Sequence, residues 1–293
     1  MSVIIKEEMP ALPSDGQEIE DEYRLHRRFD RMGRLVGDGG MRRLLDASVM
    51  VIGLGGVGSF AAESLVRSGI GRVVIVDFDR VCITNSNRQL QAMKGTIGDF
   101  KAAVLAERLR LINPQAEIVP IEQFYSATNA DELFGHAVDL VVDAIDNITA
   151  KCHLIAQCVQ RGVPLVSSTG ASGRMDPTRI QIGDLADTRV DPLAQSLRKI
   201  LRQKYDFPQK GPFGVTAVFS SEAVREPQDL HYDGGMGFRC VCPGGKNDHH
   251  SCENRAMIYG TASFVTGAFG LACASVAVRR LLGETITPTE TAD

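Results

Sequence analysis

From residue 47 onward, short apolar runs alternate with segments whose apolar positions recur at helical spacing. "ASVMVIG" (47–53) reads as a strand ending in glycine. "VGSFAAESLVRSG" (57–69) has helical spacing and stops at Gly69, and "GRVVIVDFD" (71–79) is a second strand. "DFKAAVLAERLRLINP" (99–114) reads as an amphipathic helix, with Asp99 as its cap and Pro114 beyond its end. "AEIVPIEQF" (116–124) is a strand that Pro120 confines to an edge or a bend. "DLVVDAID" (139–146) and "VPLVSSTG" (163–170) are further strands, separated by the helical "TAKCHLIAQCVQRG" (149–162). Such alternation predicts parallel crossovers, hence an α/β fold with a doubly wound, Rossmann-like, mostly parallel sheet. Ligands of such sheets bind beyond the carboxyl ends of the strands, where Asp77, Asp79 and Asp146 fall. The pattern then changes. "RIQIGDL" and "VTAVFSSE" read as strands around a basic helical segment, followed by the glycine-rich "YDGGMGFRCVCPGGKNDHHSCEN" and a long helix of small residues. With no clear linker or internal repeat, residues 23–285 are expected to form one domain. Within it, 172–256 are an elaboration on the same sheet, and the long helix is C-terminal.

The 293-residue chain is 44 % apolar and 23 % charged, enough to bury a sizeable core. A net charge of −4 excludes a strongly basic nucleic-acid binder but leaves room for a local basic patch. Seven cysteines, an odd number set mostly in apolar segments such as those around Cys158 and Cys273, point to reduced thiols and a cytoplasmic setting. The N-terminus turns acidic after a three-residue apolar run, which is not a signal peptide. Residues 1–22 read as a poorly ordered extension. One stretch, 259–278, is long enough to cross a membrane. Its wealth of Gly, Ala, Ser and Thr favours a helix buried by close packing, so no membrane is expected.

Gly53-Leu-Gly55-Gly56-Val-Gly58 fits G-x-G-x-x-G between strand and helix. There the backbone can approach a phosphate, and the helix N-terminus adds partial positive charge. Asp77, nineteen residues after Gly58, is placed to accept hydrogen bonds from ribose hydroxyls. On these features alone a nicotinamide enzyme is a fair reading. The next residues favour ATP. Asp79 adds a second carboxylate suited to a Mg²⁺ that bridges phosphates. Asn85, Asn87, Arg88 and Gln89 bring neutral donors and a guanidinium, and Lys101 follows thirteen residues beyond Arg88. Asp146-Asn147, just past a buried strand, suits a metal or the phosphate being cleaved, although a strand-ending Asx turn would need no function.

In that order and spacing, "RFDR" (28–31), "GLGGVGS" (53–59), "DFD" (77–79), "NSNRQ" (85–89), Lys101 and "DAIDN" (143–147) resemble the ubiquitin-activating-type (ThiF/MoeB-like) adenylyltransferases. The resemblance covers about residues 24–170. It implies that Gly53, Gly55, Gly56 and Gly58 receive the phosphates and that Asp77 holds the ribose. Asn85, Arg88, Gln89 and Lys101 would line the triphosphate, with Asp79 and Asn147 in the same nucleotide site. Asp146 would serve Mg²⁺ and adenylyl transfer. Arg31 would act as an arginine finger in the partner's site, which implies a homodimer. Asn87 stands where the sulfur-carrier activators usually have Gln. Those activators also carry two Cys-x-x-Cys pairs, and this chain has none.

Instead, "RVDPLAQSLRKILRQKY" (189–205) and the later "GTASFVTGAFGLACASVAVRRL" are similar to the tRNA threonylcarbamoyladenosine dehydratases, extending the match to about residue 282. That resemblance implies ATP-dependent cyclisation, through an acyl-adenylate, of the threonylcarbamoyl group on the adenosine beside the anticodon. The alternative is adenylation of the C-terminal glycine of a sulfur-carrier or ubiquitin-like protein. Arg189, Arg198, Lys199, Arg202 and Lys204 give five cations in sixteen residues against Asp191 alone. Arg198, Arg202 and Tyr205 share a helical face by spacing, which suits phosphates of a folded RNA as well as a solvated helix. Cys240, Cys242, His250 and Cys252 have the ligand types of a zinc site, but C-x-C-x₉-C is not a zinc spacing, and a loop over the active site is the favoured reading. Cys252 is the candidate for a covalent step. The family resemblance alone adds a cysteine desulfurase or sulfur-acceptor system as a partner.

Overall fold

A computed structural model of the chain describes residues 16–231 and 258–289, with side chains from residue 27 onward. Strands β1 (Ser48–Ile52), β2 (Arg72–Val76), β3 (Glu117–Ile121), β4 (Leu140–Asp143), β5 (Leu165–Ser168), β6 (Ile180–Asp184) and β7 (Thr216–Ser220) form one sheet. Their order is β3-β2-β1-β4-β5-β7-β6, and every neighbour is parallel except β6, which runs antiparallel to β7. The order reverses between β1 and β4, the switch point at which doubly wound sheets open a crevice. β3 lies at one edge, where Pro120, which has no N–H to donate, is tolerated.

The inner strands β1, β2, β4, β5 and β7 are buried on both faces, and their alternation divides the core in two. Val49, Val51, Val73 and Ile75 face helices α1 (Gly16–Asp46), α2 (Gly58–Arg67), α3 (Lys101–Ile112) and α7 (Ser263–Leu281). Met50, Ile52, Val74 and Val76 face α4 (Ala130–Phe134), α5 (Ile148–Arg161) and α6 (Pro192–Lys204). The apolar stretch long enough to cross a membrane is α7, and it covers the sheet. Its glycines let α2 approach: a Cβ on Gly270 would lie 2.4 Å from the Val57 carbonyl oxygen.

Two local expectations need restating. Asp99 does not cap α3. The capping position falls on Phe100, with no side-chain bond to the helix, because the Asp99 carbonyl is held by the Val81 N–H and Phe100 bridges Arg80. The backbone thus sets the helix start, the Lys101 N–H donating to the Asp79 carbonyl at 2.9 Å. Of the expected N-terminal extension, residues 1–15 lie outside the described residues, and 16–22 begin α1. That helix is interrupted at Phe29 and Gly37, the latter with φ +70°.

Candidate nucleotide site

Register brings the site residues together. Ile52 pairs with Val76 on one side and with Asp143 on the other. Gly53, Asp77 and Ala144 therefore leave the sheet side by side. Gly53 turns with φ +89°, where a Cβ would sit 2.6 Å from the Ala144 carbonyl oxygen; the position admits glycine alone. The Asp77 carboxylate fixes the loop from below. It accepts from the Leu54 N–H at 2.6 Å and from the Asp79 N–H at 2.8 Å. Burial pushes this carboxyl above its ordinary range, while Lys101 opposes the shift.

Lys101, at the first turn of α3, lies 2.8 Å from Asp79. Burial disfavours its charge, but Asp77, Asp79 and Asp146 together hold its pKa above the ordinary lysine value, so it stays cationic. Asp79, read from the sequence as a metal carboxylate, is thus engaged by Lys101. Replacing Lys101 with Met leaves two carboxylates without their counter-charge and should cost roughly 3 kcal/mol or more. Urea unfolding would show this as a lowered midpoint at unchanged slope; an unchanged midpoint would contradict it.

The remaining predicted residues fall around the same loop. Arg88 lies beside Gly56, its Cγ 3.3 Å from where a Cβ would be, and its guanidinium bonds the Thr84 carbonyl and the Asn87 side chain. Gln89 is buried next to Gly55. The Asn85 side-chain Oδ1 is used locally, accepting from the Cys82 N–H at 3.0 Å. Asp146 is exposed at the mouth of the crevice, and its charge is felt at Lys101. Asn147 caps α5, accepting from the Ala150 N–H at 3.0 Å.

Arg31 is elsewhere. Helix α2 runs from Gly58 at the crevice to Arg67 at the far edge of the sheet, about 15 Å at helical rise. Phe29 packs on Gly69 beyond that far end, and Arg31, two residues on, is 91 % exposed against Asp30.

In the basic segment, Asp191 caps α6 and ties it to the end of β5, accepting from the Thr169 hydroxyl at 2.6 Å and the Gly170 N–H at 3.0 Å. The face predicted to meet RNA is largely occupied by packing. Arg198 donates to Thr188, Arg202 donates to the Pro208 carbonyl and lies 5.0 Å over the Phe213 ring, and Tyr205 packs on the core. Arg189, Lys199 and Lys204 are the exposed cations of the five. Val190, next to Arg189, is a β-branched residue at φ +57°, a strained conformation of the kind that collects at functional sites.

Cys240, Cys242, His250 and Cys252 lie outside the described residues. Among the described residues no group of three or more His, Cys, Asp or Glu could hold a metal alone. Cys82, Cys152, Cys158 and Cys273 are unpaired, buried thiols. Burial pushes Cys152 up to about 11 and Cys273 up to about 12, and Cys158 also upward, so these three are inert as thiolates near neutral pH.

Three features escaped sequence reasoning. Gln91, fully buried, props the glycine loop by donating to the Leu54 carbonyl at 2.6 Å. Lys151 and Asp143 form a fully buried ion pair under Asp146. Arg174 is buried beside Asp191, with one guanidinium nitrogen lacking an acceptor among the described residues. Only the period-two spacing of Gln89 and Gln91 was a readable signal.

The fold and this crevice define a nucleotide-binding α/β protein. A glycine loop at the switch point faces a ribose-type carboxylate, two cations and an exposed carboxylate. A model of the ThiF family matches residues 29–292, and the chain belongs to that family. It is 39 % identical over 269 residues to the tRNA threonylcarbamoyladenosine dehydratase of Escherichia coli, covering 91 % of this chain and 97 % of that protein. To the Haemophilus influenzae protein of the same name it is 40 % identical, covering 89 % and 95 %. The crystal structure of the E. coli dehydratase in complex with ATP superposes with a TM-score of 0.75 at 37 % identity, covering 88 % of this chain and 95 % of that one.

Proposed function

We propose that the chain is an ATP-dependent tRNA-modifying enzyme, which dehydrates threonylcarbamoyladenosine at the anticodon-adjacent adenosine through an acyl-adenylate. The observation that carries this reading is the convergence of Gly53–Gly58, Asp77, Arg88, Lys101 and Asp146 at one sheet edge. It comes in a chain similar over nearly its whole length to a dehydratase solved with ATP. The substrate carboxylate attacks the α-phosphorus, pyrophosphate leaves, and the urea group then closes on the activated carbonyl and expels AMP. One water is lost overall. The glycine loop receives the phosphates, Asp77 the ribose, and Arg88 and Lys101 offset charge that develops at phosphorus. The oxygen donors fit Mg²⁺, which is commonly held by one or two carboxylates and phosphate oxygens: Asp146 would hold it, with Asp79 secured by Lys101. When bound, the ion neutralises phosphate charge.

Arg31 lies at the opposite sheet edge from its own crevice, so its role as a finger requires a second copy. Co-refolded Arg31→Ala and Asp146→Ala chains, each inactive alone, should recover roughly a quarter of the wild-type sites by random pairing in a two-fold dimer. No recovery in a confirmed mixed dimer would reject the trans assignment. Exposed Arg189, Lys199 and Lys204 would meet tRNA phosphates. Any sulfur-acceptor role would fall to Cys240, Cys242 or Cys252, with Cys252 the candidate, since three of the described thiols are held protonated and the fourth, Cys82, is buried.

Adenylation of a Gly-Gly-ended carrier protein is the second reading. The absence of Cys-x-x-Cys pairs weighs against it. Pyrophosphate exchange separates the two. Exchange that needs threonylcarbamoyl-tRNA supports the first reading, and exchange that needs the carrier supports the second.

A further inference from the structure

Directly beneath the turn that presents Asp146 lies a buried charge network with no ligand role of its own. Lys151, on the first turns of α5, is fully buried, as is Asp143 at the end of β4. The Lys151 ammonium lies 2.8 Å from the Asp143 carboxylate, 3.1 Å from the Ile145 carbonyl and 3.4 Å from the Asp143 carbonyl. Three N–H donors thus meet three acceptors. The carboxylate is equally committed: Oδ1 accepts from the Ile145 N–H at 3.1 Å and Oδ2 from the Ser167 hydroxyl at 2.7 Å. Every bond in this set lands on residues 143–145 or on the neighbouring strand.

Well-packed apolar residues generally serve stability as well as a buried ion pair does, so a fully satisfied pair is better explained by the geometry it imposes. Here that geometry is the path of the backbone between Asp143 and the Asn147 cap of α5. We propose that Lys151 and Asp143 are positioning residues that fix the 143–147 turn, and thereby aim the Asp146 carboxylate into the crevice. The proposal rests on the role given to Asp146 above. It explains why a cation sits out of reach of solvent in a site that needs cations, and why Ser167, one strand away, is drawn into the cluster.

The test uses the full-length protein. Lys151→Met alone would strand a buried carboxylate, so the pair is neutralised together as Asp143→Asn/Lys151→Met. The double variant should keep its secondary structure and a KM for ATP within about threefold of wild type, because neither substitution replaces a residue of the glycine loop or Asp77. Its kcat should fall at least tenfold, and hydrogen exchange should quicken at the amides of 144–147. Wild-type kcat with wild-type exchange would overturn the proposal. Should the double variant fail to fold, Ser167→Ala removes one bond to Asp143 without changing charge. It should lower kcat several-fold with faster exchange at Ile145, and unchanged values for both would overturn the proposal. Asp146→Ala is measured in parallel. If it keeps full turnover, the assignment of Asp146 itself is wrong. If it is inactive while the pair and Ser167 variants are normal, only the positioning role fails.

Discussion

Asp146→Ala should lower turnover by about two to three orders of magnitude, the range seen when one stabilising group is removed from a transition state. The thermal midpoint should stay within a few degrees. Asp146 is exposed at the crevice mouth and belongs to neither core, so its loss creates no cavity, and Lys101 keeps its direct ion pair with Asp79. ATP affinity should change little without magnesium, because the glycine loop, Asp77 and Lys101 remain in place. The effect belongs in kcat, measured as AMP release under saturating ATP and modified tRNA. Near-wild-type kcat would remove Asp146 from the chemistry.

Gly58→Ala should abolish nucleotide binding by a different route. A Cβ at position 58 would fall 1.7 Å from the Gly53 carbonyl oxygen, 2.9 Å from the Gly53 carbonyl carbon and 3.3 Å from Ala144 Cβ. The nearest neighbours are backbone, with no flexible side-chain end to give way. The start of α2 must move, and the phosphate-receiving loop moves with it. Overpacking of this kind costs about 1–3 kcal/mol or more, read as a lower urea midpoint. Titration calorimetry should find ATP affinity reduced at least a hundredfold. Retention of wild-type affinity would mean that this loop does not receive the phosphates.

Much of the fold was legible because a buried parallel sheet writes itself as apolar runs, and its crossover helices as a 3.6-residue period. Pro120 narrowed β3 to an edge or a bend, and the sheet order places it at the edge. The nucleotide crevice was legible for a related reason: glycines at fixed spacing and carboxylates at strand ends are local features. What stayed hidden depends on contacts between distant segments. Lys151 looked like any helical lysine, and its partner Asp143 like a strand terminus, until β4 and α5 packed together. Arg198 and Arg202 had the spacing of an RNA-facing stripe. Thr188, Pro208 and Phe213, which occupy them, are brought there by turns that no periodicity records. Asp99 was a plausible cap by type, and lost the role because a backbone bridge had already set the helix start. The resemblance carried by the motif around Arg31 implied a site on another subunit, but the motif did not show that Phe29 packs on Gly69 at the far end of α2, with Arg31 exposed beside it.

The central claim is that this crevice activates a carboxylate on tRNA with ATP. Its most direct measurement is nucleoside mass spectrometry of threonylcarbamoyl-tRNA incubated with the purified protein, ATP and magnesium, with AMP and pyrophosphate counted alongside. The account predicts loss of the mass of one water from the modified adenosine, with one AMP and one pyrophosphate formed per nucleoside changed. An unaltered nucleoside, in a preparation that binds ATP and adenylates a Gly-Gly-ended protein, would contradict it.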